Sequence, residues 1–64
     1  MVVINIADKD GVPMETRCVQ GARIAWDTKE VYWTYNGSSF DYCRFTDCSI
    51  NVEQMPVVIQ ITKE

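Results

Sequence analysis

Sixty-four residues with three cysteines, no histidine and a net charge of -3 make a single small domain, near the size at which only about 60% of the unfolded surface can be buried. A composition 47% hydrophobic and 23% charged is that of a chain that folds, and its acidic balance gives no general attraction to nucleic acid or to an anionic membrane. The opening MVVINIADKD has no basic stretch ahead of an apolar core, and no run approaches the ~20 apolar residues of a membrane span, so a cytoplasmic protein is expected.

Alternation of apolar and polar residues is the main signal, and read that way the chain is mostly strands. The first run, VVINIA, sets Val2, Ile4 and Ile6 on one side. Asp10-Gly11 then suits a hairpin loop closing on a left-handed glycine. Pairing Asp8 with Val12 brings Ile6 opposite Met14, Ile4 opposite Thr16 and Val2 opposite Cys18. Pro13 fits only at a strand start or on an edge, because it donates no ladder hydrogen bond.

Gly21 separates METRCVQ from ARIAWD, and a tight turn there would send Met14 and Cys18 to the other face. The register of the second strand therefore stays open, and a bulge at Gly21 would reconcile the two patterns. The loop DTKE then joins ARIAW to a third strand, with Ile24 opposite Trp33, Ala25 opposite Tyr32 and Arg23 opposite Thr34.

The stretch VYWTYNGSSFDYCRF holds most of the aromatic residues and turns about Asn36-Gly37. A two-residue turn pairs Trp33 with Phe40 and Val31 with Tyr42, and a four-residue loop pairs Trp33 with Tyr42. Either way the same side chains share a face, because the strand period is two. The rings of this meander, residues 22–44, are then expected to supply the bulk of the core. Beyond Arg44 the alternation breaks, and FTDCSINVEQMP reads as irregular, with at most a short strand from Ser49 to Val52. The last strand, VVIQIT, turns Val57, Ile59 and Ile61 inward behind Pro56.

A helix near residues 13–27 is the competing reading, giving an α+β fold. Pro13 would open it, and Met14, Cys18, Ala22 and Trp26 recur at intervals of four. Gly21 and the poor helix formers Thr16, Cys18 and Val19 count against it. The expected fold is thus all-β: a small antiparallel meander of five or six strands, closed as a barrel or packed as a dimer so that its apolar face is covered, with terminal strands offering edges.

No catalytic set emerges. Histidine, the usual proton shuttle, is absent. The carboxylates Asp8, Asp10, Asp27 and Glu30 fall in turns, where they cap backbone groups. Cys18, Cys43 and Cys48 lack a four-ligand zinc spacing and read as buried free thiols, and the three glycines are explained by turns, so no metal and no cofactor is expected. The six basic residues are dispersed, which disfavours nucleic acid as a partner.

The expected function is therefore non-enzymatic protein binding, through an outward patch of Arg23, Tyr32, Thr34 and Asp41 with Tyr35 near the hairpin tip, since Tyr and Arg are enriched at hot spots. By analogy with the short chains that phages and mobile elements use against host machinery, the module is expected to act as an inhibitor of a host protein, with Asp27, Glu30, Asp41 and Asp47 available to imitate phosphates if the target is a nucleic-acid enzyme. Two alternatives belong to other classes. One is a small-ligand binder with a pocket of Trp26, Trp33, Tyr35 and Tyr42, oriented by Arg17 or Arg44. The other is a structural subunit of a larger assembly.

Overall fold

The computed structural model describes all residues, Met1–Glu64, and contains six strands and no helix. They are β1 (Val2–Ala7), β2 (Pro13–Val19), β3 (Gly21–Ala25), β4 (Glu30–Thr34), β5 (Asp41–Asn51) and β6 (Val57–Lys63). The all-β reading is correct and the helix over 13–27 does not form: that segment is β2 and β3.

The strand order is β2-β1-β6-β5-β4-β3, and the sheet is mixed, because β1 and β6 pair in parallel while every other pair is antiparallel. The sheet expected from the alternation is wholly antiparallel, with the terminal strands at its edges. Both points are corrected: the chain ends lie at the centre and β2 and β3 are the edges. The physical reason is burial. Val2 to Ile6 and Val57 to Ile61 are the most continuous β-branched runs in the chain, and setting them side by side buries Ile4, Ile6, Ile59 and Ile61 together on the inner face.

The sheet does not close into a barrel. Its two end strands nonetheless follow one another in sequence, joined only through Gln20, whose N–H donates to the Thr34 carbonyl at 2.9 Å. A sheet whose ends are covalently joined must curl, and curling covers the apolar face without a second chain. The core so enclosed is Ile4, Ile6, Val19, Val31, Trp33, Phe45, Ile59 and Ile61, with Val2, Ala22, Ile24, Cys43 and Cys48 packed at its margin. Burying each large side chain contributes about 1.5–3 kcal/mol. Aliphatic residues dominate, and of the rings only Trp33 and Phe45 are buried, so the aromatic meander supplies less of the core than the sequence suggests.

Two bulges set which side chains face in. The β1–β2 loop closes as expected, with the Asp8 N–H donating to the Val12 carbonyl at 3.0 Å, Asp8 Oδ1 accepting from the Asp10 and Val12 amides, and Gly11 at φ 80°. A register shift between Ile6 and Ala7 then pairs Ile6 with Glu15, Ile4 with Arg17 and Val2 with Val19. Glu15, Arg17 and Val19 therefore point inward. The bulge lies here and not at Gly21. In β5 the apparent break after Arg44 is a second register shift, between Phe45 and Asp47, in an otherwise continuous strand of 11 residues. The extra residue, Thr46, uses its hydroxyl to bond the Thr62 carbonyl at 3.2 Å. Parity changes there, so that Cys48 and Ile50, paired with Ile61 and Ile59, follow Phe45 on the inner face.

Candidate functional site

The outer face of β3, β4 and β5 carries the best-defined side-chain array. Arg23 pairs with Tyr32 and Tyr32 with Tyr42, so three adjacent strands line up one side chain each. Directly opposed side chains lie close enough to interact. The Arg23 guanidinium carbon sits 4.9 Å from the Tyr32 ring centroid, and the Tyr32 and Tyr42 rings lie 5.6 Å apart, tilted by 32°. Below this row Ala25, Glu30 and Arg44 form the next one. Desolvation, then the neighbouring Glu30, pushes the Tyr32 hydroxyl above its ordinary range, so it stays a neutral donor at physiological pH. Neither Arg23 nor Arg44 forms an ion pair; the one salt bridge joins Arg17 to Glu15.

Of the five residues expected in the outward patch, this row unites Arg23 and Tyr32. Their pairing differs from the expected one by two residues, because the β3–β4 loop is Trp26 to Lys29, with Lys29 at φ 57°. A slip of two leaves the face unchanged. The other three lie elsewhere. Thr34 is only 6% exposed, and its hydroxyl accepts from the Gly37 amide at 2.8 Å and the Asn36 amide at 3.3 Å, which makes it a turn residue and not a contact. Tyr35 is exposed, but its hydroxyl accepts a 2.7 Å bond from Nη1 of Arg17, a residue of β2 and not of the β3–β4–β5 row. Asp41 pairs with Trp33 on the opposite parity and accepts from the Tyr42 amide at 3.1 Å.

Tyr42 is the residue the sequence reading missed. Both registers considered for the β4–β5 connection turned it inward, whereas the observed pairs, Val31 with Cys43 and Tyr32 with Tyr42, are displaced by one residue and turn it out. The signal lies in TYNGSS. Thr34 and Asn36 side chains take the amides of Gly37, Ser38 and Ser39, so the connection runs as a wide, side-chain-bonded loop in place of a tight hairpin turn.

The aromatic pocket of the ligand-binding alternative is not assembled. Trp33 is buried, Tyr42 faces out, Tyr35 holds Arg17, and Trp26 packs edge-on against Phe45 at 6.0 Å. A groove of about 420 Å³ lies instead on the other half of the sheet, along a neutral polar row of Thr16, Asn5, Gln60 and Ser49. No three His, Cys, Asp or Glu side chains converge as a metal would need. The cysteines are free thiols; Cys18 is exposed, while burial pushes Cys43 and Cys48 up, away from the thiolate form. The expectation that all three thiols are buried is thus corrected: Cys18 is exposed, and Cys43 and Cys48 are only partly buried. No helix is long and apolar enough to cross a membrane. Set against protein-family models, curated proteins and solved structures, the chain matches none.

Proposed function

We propose that this chain is a non-enzymatic protein-binding module whose contact face is the Arg23–Tyr32–Tyr42 row with Arg44 beside it. The observation that carries the reading is the stacking of a guanidinium and two phenol rings across three strands, with Tyr42 56% exposed and both arginines free of carboxylate partners. Such an array offers rigid apolar area at low entropic cost, together with donors for an acceptor on the partner. The partly buried thiols Cys43 and Cys48, raised by desolvation away from the thiolate form, and the lack of histidine support a role without catalysis. A small inhibitor that blocks a host protein, working in the cytoplasm, is the biological form that suits these properties.

The test is affinity capture from a lysate of the native host, repeated with Tyr42→Ala and Arg23→Ala. Both variants are expected to stay folded by circular dichroism and to lose the partner. Unchanged capture by both removes this face from consideration. The polar groove on the other half of the sheet favours a second reading, a small hydrogen-bonding ligand, and a thermal-shift screen of metabolites separates the two: stabilisation by a metabolite would favour the groove.

A further inference from the structure

We propose that the free edge of β3 receives an extended segment of a partner protein as an added strand, with an acidic side chain of that segment set across from Arg23. This rests on the reading of the β3–β4–β5 outer face as the contact surface, and it specifies the binding mode and the chemistry of the partner.

β3 ends the strand order and pairs with β4 alone. The backbone hydrogen bonds made outside the ladders use no group of Gly21–Ala25, and no side chain bonds to them either. Alternate N–H and C=O groups on the side away from β4 are therefore open, which is the template that strand addition needs. The other edge, β2, is defended. β2 starts at Pro13, has a register shift against β1 and turns the charged Glu15 and Arg17 inward. β3 pairs without a register shift and carries no proline, no lysine and no inward charge.

The side chains of β3 state what the added strand must look like. Arg23 stands at its centre, exposed, unpaired with any carboxylate and held over Tyr32. Opposite charges across a strand pair attract and like charges repel. An acidic residue in the incoming segment is thus favoured on the outer face. On the inner face the half-buried Ala22 and Ile24 favour apolar residues at the flanking positions. A second copy of the chain is disfavoured by the same rule, because aligning the whole of β3 antiparallel with itself sets Arg23 against its own counterpart. Five residues at about 3.3 Å each make an edge of roughly 16 Å, enough for one short extended segment.

The test uses three soluble peptides of seven residues: one alternating valine with threonine around a central glutamate, a twin with lysine at the centre, and the glutamate peptide N-methylated along one edge. Binding is read by amide exchange and NMR shifts. The glutamate peptide is expected to slow exchange within Gly21–Ala25, the lysine twin to bind about fivefold more weakly, the scale of exchanging an attractive for a repulsive cross-strand pair, and the N-methylated form not to bind. Arg23→Glu is expected to reverse the preference between the twins. Equal binding of the twins, protection on another strand or no binding overturns the proposal. Protection of β3 that grows with protein concentration alone would assign the edge to a second copy, and displacement of the peptide by oligothymidylate would assign the face to single-stranded nucleic acid; either overturns it. If capture from lysate is lost with Tyr42→Ala while no peptide protects β3, the contact face stands and strand addition falls.

Discussion

Replacing Phe45 and Tyr42 by alanine, one at a time, tests the register on which the contact face depends. Phe45 is 2% exposed in the core, packed edge-on by Trp26, whereas Tyr42, three residues earlier, is 56% exposed. Removing a buried phenyl ring costs about 3–5 kcal/mol, and a surface change costs about 0.5 kcal/mol. A chain of 64 residues has a total stability of only about 3–10 kcal/mol at the usual ~0.05–0.15 kcal/mol per residue. Phe45→Ala should therefore lower the urea midpoint severely or leave the protein unfolded at room temperature. Tyr42→Ala should move the melting temperature by only a few degrees, since about 1 kcal/mol corresponds to ~4–8 °C in a domain of this size. The opposite ranking, with Tyr42→Ala the more damaging, would refute the register, because a one-residue displacement of β5 exchanges the two positions.

Arg17 bridges from β2 to the β4 side where no ladder runs: its guanidinium carbon lies 5.4 Å from the Trp33 ring centroid, Nη1 reaches Tyr35 and Nη2 reaches Glu15 at 2.9 Å, while its Nε is buried without an acceptor. With the side chain a third exposed, Arg17→Met should cost about 1 kcal/mol by chemical denaturation, and a gain in stability would mean that the orphaned Nε outweighs the bridge. Gly37 has φ 81°, and an added Cβ would meet Gln20 Oε1 at 3.1 Å, so Gly37→Ala should destabilise by about 1 kcal/mol or more, read as a fall in melting temperature; no change would show that the loop relaxes freely. Burial raises Cys43 and Cys48 in the folded state, so the unfolded chain loses these protons first; stability should be intact below pH ~8.5 and fall as the pH climbs above it. Urea midpoints measured from pH 7 to 10 check this, and a flat profile would contradict it. At pH 8 a thiol reagent should label Cys18 well ahead of the other two.

The linear pattern of residues was enough for the strand content, the placement of most strands and the loops at Asp10-Gly11 and Asn36-Gly37, because alternation and turn chemistry are local properties that neighbouring residues express without help. It also placed Arg23 and Tyr32 on one outward face, since errors of two residues in a pairing leave faces unchanged. Contacts between distant segments set the rest. The bulges between Ile6 and Ala7 and between Phe45 and Asp47, together with the wide loop bonded by Thr34 and Asn36, each move a strand by one residue, and a single step turns every side chain over. That is why Arg17 points inward and Tyr42 outward, while Thr34 is buried beneath the loop amides its hydroxyl accepts. The parallel pairing of β1 with β6 joins the two ends of the chain, a contact between distant segments that no local pattern encodes, and it is this pairing that leaves β3 as an open edge beside Arg23.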